Sequence, residues 1–269
     1  MGDTATENTI MAAVLTPGTT KIHLASANYM VQDLCYFLRK AGAKISGIGT
    51  TTLIITGIKE LQPITYSIMP DPIESMAFIS LAIVTKSNLT IINCPIDFLR
   101  LELEKLRIMG QKMLISPTYK SVNGHFDLVD ITIIPSTLTA LPDKLHPQPY
   151  PGLNIDNLPL FIPILTQVQG QTLVHDWVYE GRAVHYAKMK KFGAKIINHD
   201  QHRLTISGPT KLTAANIISP PALRPAINLL ICMLGAKGKS TLHNTYPIER
   251  GYENLVGRLS KLGAIIKKI

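Results

Sequence analysis

The sequence predicts an α/β fold of repeated βαβαββ units, about four of them in tandem, and three observations carry that prediction. A short phrase recurs as Ala41-Gly42-Ala43-Lys44-Ile45, Met109-Gly110-Gln111-Lys112-Met113, Phe192-Gly193-Ala194-Lys195-Ile196 and Leu262-Gly263-Ala264-Ile265-Ile266, its glycines 68, 83 and 70 residues apart. Each phrase closes an amphipathic stretch, and glycine there is a C-cap signal because it adopts the left-handed conformation without steric cost. Another apolar helix, a turn and a short strand precede each stretch. Strands alternating with helices of about 10–15 residues imply parallel pairing through crossovers.

In the first unit Glu7–Leu15 reads as a helix, Pro17-Gly18 as a turn and Thr19–Leu24 as a strand. Tyr29–Lys40 follows as a helix, and Lys44–Ile48 and Leu53–Thr56 as strands, the last ending at Gly57. The second unit repeats this with Ile73–Thr85, Ser87-Asn88, Leu89–Asn93 and Phe98–Ile108. The third runs Asn157–Val168, Gly170, Gln171–His175, Arg182–Lys191, Lys195–Asn198 and Arg203–Ser207. The fourth runs Pro225–Ala236, Gly238, Lys239–His243 and Gly251–Lys261. Linking strands are expected at Thr65–Met69 and Ala214–Ser219. Ile131–Gly152, with five prolines, accounts for the widest glycine interval and reads as an ordered linker or loop.

Composition narrows the classes. Of 269 residues, 46% are hydrophobic and 17% charged, which argues against disorder and leaves ample chain for a core. A net charge of +9 suits an anionic partner. Three cysteines make no disulfide framework; Cys35, Cys94 and Cys232 lie in apolar surroundings and read as small buried hydrophobes. The polar, acidic first residues are no secretory signal. The longest charge-free stretch, Asn157–His175, is interrupted by proline, glutamine and glycine and fails as a membrane span. The cytoplasm is the expected location. His199 and His202 are the one ligand-spaced histidine pair, sited at a turn, and no metal is expected. The lysine runs lack interleaved aromatics, so no nucleic-acid partner is expected.

The segments Thr6-Glu7-Asn8, Met11-Ala12-Ala13-Val14-Leu15, Gly18-Thr19-Thr20, Val31-Gln32-Asp33-Leu34, Gly47-Ile48-Gly49-Thr50, Pro70-Asp71, Ile73-Glu74, Pro149-Tyr150-Pro151-Gly152 and Glu249-Arg250-Gly251-Tyr252-Glu253 resemble the enolpyruvyl transferases. The Arg250-Gly251-Tyr252-Glu253 neighbourhood is more similar to the sugar-nucleotide branch than to the shikimate-pathway branch. The matches run in family order over essentially the whole chain. The resemblance implies an inside-out α/β barrel of six units in two domains, of which this chain shows four. Residues 1–68 would be the last unit of a first domain and 69–269 the three units of a second. The family's early segment, with a Lys-Asn pair and a loop cysteine, has no counterpart here, and an upstream or separate polypeptide would supply it.

The implied reaction transfers enolpyruvate from phosphoenolpyruvate to the 3-hydroxyl of UDP-N-acetylglucosamine for peptidoglycan synthesis, without a metal or organic cofactor. By resemblance Asp156 meets the acceptor hydroxyl, where a carboxylate can act as general base. On residue type alone it also suits an N-cap for the helix that follows. Val178 falls where the family contacts the nucleotide sugar, although a valine beside Trp177 reads as core. Arg182, Arg224 and Arg250 match family arginines facing the cleft, with Arg250 the foremost phosphoenolpyruvate ligand. Guanidinium binds phosphate or carboxylate in a fork. All three begin or adjoin a predicted helix start, where an anion would offset the macrodipole and use free amides.

Several positions depart from the family pattern. Pro72 stands in place of an arginine, Ala222 of an aspartate, Asn28 and Met30 of acidic residues, Gly181 of an asparagine, and Asn154-Ile155 precede Asp156 where Pro-Thr is usual. A non-catalytic binding or structural protein on the same scaffold is therefore the alternative expectation.

Overall fold

Glycine placement and helix capping organise the first unit of the chain, which a computed structural model describes over residues 2–268. Helix α1 (Asp3–Val14) leads to strand β1 (Thr19–His23), α2 (Tyr29–Lys40), β2 (Lys44–Ser46) and β3 (Thr52–Thr56). The Asn28 side chain accepts from the Tyr29 N–H at the start of α2, and Arg39 and Lys40 occupy its last turn, each where the helix dipole favours it. All four repeated glycines have left-handed backbone, with φ of +103° at Gly42, +95° at Gly110, +88° at Gly193 and +94° at Gly263.

The pairing differs from the parallel crossovers expected. β3 lies between β1 and β2 and runs antiparallel to both. The hairpin after β2 sends β3 back into the gap that the crossover through α2 leaves open, so β1 and β2 are never neighbours.

The second unit comprises α3 (Pro72–Val84), β4 (Leu89–Pro95), α4 (Arg100–Ile108), β5 (Lys112–Ile115), β6 (Tyr119–Lys120) and β7 (Asp127–Ile134). Its order is β4-β7-β5, again antiparallel, with β6 paired to β7. Ile131–Ile134 thus belong to a strand and not to the expected linker, because their alternate residues Ile131 and Ile133 are fully buried. The third unit is α5 (Leu158–Leu165), β8 (Gly170–His175), α6 (Arg182–Tyr186) continued by a 3₁₀ turn to Phe192, β9 (Lys195–Asn198) and β10 (Arg203–Gly208), in the order β8-β10-β9. The fourth has β11 (Asn216–Ile218), α7 (Leu223–Gly235), β12 (Thr241–His243), α8 (Tyr246–Glu249) and α9 (Leu255–Lys261). The strand expected after its glycine is absent among the described residues, and Thr65–Met69 forms no strand either.

Parallel pairing does occur, within the fourth unit where β11 pairs with β12, and as single bridges of Thr139 with Gln169, Leu145 with Val174 and Thr213 with Lys237. The second, third and fourth units are thereby stitched edge to edge. Nothing comparable joins the first unit: among the described residues no backbone hydrogen bond links 2–70 to 71–268.

Two main cores follow, with a small third cluster of Met69, Phe98 and Phe126 between them, against which Tyr29 and Tyr36 of the first unit pack. Ile10, Val14, Val31, Cys35, Ile45, Leu53 and Ile55 fill the first unit, while α3, α5 and α7 pack together at the centre of the rest. Every residue of α5 is buried, at roughly 1.5–3 kcal/mol for each large apolar side chain. Gly235 sits so close to α3 that a Cβ there would lie 2.6 Å from a Val84 methyl. All three cysteines are buried free thiols, and burial pushes Cys35 and Cys232 up to about 12 and Cys94 to about 11. Among the described residues no helix is long and apolar enough to cross a membrane.

Candidate active site

The first unit and the remainder face each other across a cleft of about 900 Å³. Asp3, Ser26, Asn28 and Met30 line one side, and Phe98, Glu102, Tyr150, Asn154, Asp156, Trp177, Val178 and Tyr179 the other. An aromatic contact joins the sides, Tyr29 meeting Phe98 edge-on at 5.9 Å, and Phe98 in turn meets Tyr150 on its own side at 5.1 Å.

Asp156 occupies the turn before α5, and it does not cap that helix. Asn157 is the N-cap residue, without a side-chain cap bond, and Asn154 holds the turn ahead of the helix. The Asn154 side-chain oxygen accepts the Asp156 N–H (2.8 Å), and the Asn154 carbonyl accepts the N–H groups of Asn157 and Leu158. The Asp156 carboxylate is left for two guanidiniums, with Arg182 Nη1 donating to Oδ1 at 3.4 Å and Arg224 Nη2 to Oδ2 at 3.3 Å. Asp156, Arg182 and Arg224 are thus brought together. Val178 is partly exposed on the cleft wall and not in the core.

Arg182 differs from the free, cleft-facing ligand expected. Its side chain is 8% exposed, and its fork is closed on Asp176, which is 0% exposed. Nε donates to Oδ2 and Nη2 to Oδ1, each at 2.7 Å, and Nη2 also donates to the Ile155 carbonyl at 2.7 Å. Tyr186 donates its hydroxyl to Asp176 Oδ2 at 2.7 Å, and the exposed Tyr179 ring lies 4.6 Å from the guanidinium carbon. Burial would lower the Arg182 pKa, but Asp176, Tyr186 and Asp156 hold it above its ordinary value. Arg182 is therefore an anchored charge with Nη1 turned toward Asp156. The sequence reading missed Asp176. Its only local signal is a carboxylate following the buried strand residue Val174 by two positions.

Arg224 is the second residue of α7. Burial lowers its pKa, and Asp156, Tyr252 and Asp71 outweigh that and keep it raised. Asp71 caps α3 through the Ile73 N–H (2.8 Å). The starts of α3, α5 and α7 therefore gather around Asp156 and Arg224, and their dipoles favour negative charge there.

Arg250 requires a correction. It is the C-cap of the four-residue α8 and does not start a helix, because that helix begins upstream at Tyr246, with Pro247 in its first turn, and α9 starts only at Leu255. Its side chain is exposed and makes no hydrogen bond among the described residues. Gly251 next to it abuts Leu223, where a Cβ would lie 2.4 Å from a leucine methyl, so Arg250 flanks the start of α7. His199 and His202 bond to the Thr205 hydroxyl and the Asp176 carbonyl respectively.

This arrangement offers a carboxylate at the edge of a cleft with two guanidiniums behind it, able to hold an anion next to a hydroxyl-bearing ligand. A family model described as EPSP synthase (3-phosphoshikimate 1-carboxyvinyltransferase) matches residues 2–259. The chain is 39% identical over 270 residues to a UDP-N-acetylglucosamine 1-carboxyvinyltransferase of Treponema denticola, covering 98% of this chain and 61% of that protein. It is 36% identical over 271 residues to the enzyme of the same name from Bacteroides thetaiotaomicron, covering 99% and 61%. The fold is similar to the enolpyruvyl transferase NikO of Streptomyces tendae (TM-score 0.84, 24% identity, 98% of this chain and 60% of that one). It is also similar to EPSP synthase from Acinetobacter baumannii (TM-score 0.77, 19% identity, 97% and 60%). The chain spans about three fifths of the length of the relatives it matches.

Proposed function

Because the chain belongs to the EPSP synthase family of enolpyruvyl transferases, we propose that it carries most of the active site of an enzyme moving enolpyruvate from phosphoenolpyruvate to the 3-hydroxyl of UDP-N-acetylglucosamine. The curated relatives named for that reaction support this choice of acceptor, and cell-wall synthesis in the cytoplasm would be its setting. Residues 1–68 form the closing unit of one domain and 69–269 three units of a second. The two main cores, one on each side of this boundary, support the division.

The observation that carries the proposal is Asp156, held at the cleft between Arg182 and Arg224. A phosphate entering there competes for the guanidinium N–H groups that Asp156 now accepts, with Arg250 as a third contact. Asp156 is then free to take the acceptor hydroxyl's hydrogen bond and its proton. The hydroxyl oxygen bonds to C2 of phosphoenolpyruvate while C3 gains a proton. Phosphate then leaves C2 as C3 loses a proton, which restores the double bond as an enol ether. Fixed guanidiniums stabilise the charge that develops on the departing phosphate.

Phosphate release from phosphoenolpyruvate tests the reading, measured with and without UDP-N-acetylglucosamine on this chain and on the chain combined with the polypeptide that completes the first domain. Release that depends on the sugar nucleotide and is abolished by Asp156→Ala is the expected result. Binding of both ligands without release by the completed protein would favour the non-catalytic alternative, which the loss of acidic residues at Ala222, Asn28 and Met30 supports.

A further inference from the structure

Burying a carboxyl is costly unless its oxygens are hydrogen-bonded, and Glu102 on α4 is 2% exposed. Its partners show what that burial serves. Oε1 accepts from the backbone N–H of Asn154 (3.2 Å) and from the side-chain amide of Asn157 (2.8 Å). These two residues bracket Asp156. Asn154 holds the Asp156 N–H through its side-chain oxygen. Asn157 is 0% exposed, its own side-chain oxygen is unpartnered, and among the described residues Glu102 makes the only side-chain hydrogen bond to it. One carboxyl from the second unit therefore ties down both ends of the turn that carries Asp156 in the third.

We propose that Glu102 is a positioning residue that fixes the Asp156 carboxylate between Arg182 and Arg224. Its effect on turnover rests on the transferase reading; its effect on the turn does not. The leverage is large, since displacing a reacting group by about 1 Å can cost about 100-fold in rate. A proline at position 154 has no N–H and could not make the contact. Cooperation between Glu102 and Asn154 is thus specific to an N–H-bearing residue there. Among the described residues the third unit supplies no carboxylate to this turn beyond Asp156 itself, and Arg182 holds it from the other side through the Ile155 carbonyl and the Asp156 carboxylate.

The test compares the full chain with Glu102→Gln, which keeps an acceptor oxygen, and Glu102→Leu, which keeps apolar volume and removes the acceptor. Amide hydrogen exchange resolved by residue should rise about tenfold or more at Asn154 and Asp156 in Glu102→Leu, as expected for losing bonds to a buried carboxyl. Glu102→Gln should remain within about threefold of wild type, and β9 should be unchanged in both. Unchanged exchange at Asn154 and Asp156 in Glu102→Leu overturns the proposal, as does a loss of protection that extends equally into β9. If Glu102→Leu does not fold, Asn157→Ala removes the 2.8 Å contact from the other side, and unchanged Asp156 exchange there overturns the proposal equally. In the completed enzyme, a lower kcat at unchanged KM in Glu102→Leu, rescued by Glu102→Gln, is the matching kinetic result. Wild-type protein without sugar-nucleotide-dependent turnover refutes the transferase reading, while the exchange data still decide the role of Glu102.

Discussion

Asp176 grips Arg182 with both carboxylate oxygens at 2.7 Å, and neither side chain is more than 8% exposed. Removing one member strands the other's charge away from water. Asp176→Ala should therefore destabilise the protein by about 3–5 kcal/mol, a fall in thermal midpoint of roughly 6–20 °C for a chain of this size. Differential scanning calorimetry measures it. A midpoint within about 2 °C of wild type would mean that water compensates the pair, contrary to its burial.

Arg224 and Arg250 should separate binding from stability. Arg250 is exposed and unbonded, so Arg250→Ala should leave the thermal midpoint within about 2 °C of wild type. It should weaken phosphoenolpyruvate binding by about tenfold or more, the value of a charge-assisted contact. Arg224→Ala, which removes a partly buried partner of Asp156, should lower both. Isothermal titration alongside thermal melts distinguishes them, and unchanged affinity in Arg250→Ala would remove that residue from the site.

Burial raises the Glu102 pKa, against the opposing pull of the Asn157 amide and the Asn154 N–H. A carboxyl with a raised folded-state pKa holds its proton more tightly when folded. Its contribution is complete below the unfolded value of about 4.3 and declines as pH rises through the folded value. Glu102→Gln has no proton to lose, so its stability relative to wild type should grow as pH rises from about 4.3 through the raised folded value. Denaturant melts across that range measure the trend, and a constant difference would show that Glu102 titrates alike in both states.

Gly42 has φ of +103° and open space where a Cβ would stand. Gly42→Ala should therefore cost only backbone strain, about 1–2 kcal/mol. Chemical denaturation reads this directly, and a neutral result would show that the chain after α2 relaxes out of the left-handed region.

Trp177 is the only tryptophan of the chain and lies 45% exposed on the cleft wall, its indole N–H donating to the Pro147 carbonyl at 3.0 Å. UDP-N-acetylglucosamine entering the cleft should change its emission saturably, and Val178→Asp should raise the concentration needed. Emission that stays flat while calorimetry records binding would place the sugar nucleotide elsewhere.

Local chemistry was legible in the sequence, and long-range pairing was not. The glycine phrases foretold four left-handed glycines at helix C-termini, and the span of α2 matches the predicted Tyr29–Lys40, because capping acts within one turn. The central place of β3 depends on a hairpin closing into a gap made by a helix some residues earlier, which apolar periodicity does not encode. Asp176 was invisible for the same reason, since only the fold brings it to Arg182. Pro247 was a readable signal for a helix start before Arg250, and giving it weight would have placed that arginine at a helix end.

Among the described residues no backbone–backbone hydrogen bond crosses the joint between the first unit and the rest, and every contact there involves a side chain. Asn123 donates to Asp33, to the Tyr66 hydroxyl and to the Ser67 carbonyl, Tyr36 stacks on His125 at 4.0 Å, and Asn154 reaches Asn28 at 3.5 Å. Sheet-edge ladders elsewhere in the molecule resist shear because sliding breaks many bonds at once. Side-chain contacts can be exchanged singly for water. The molecule is accordingly stiff within its three stitched units and compliant at one seam, which is the seam that bounds the cleft.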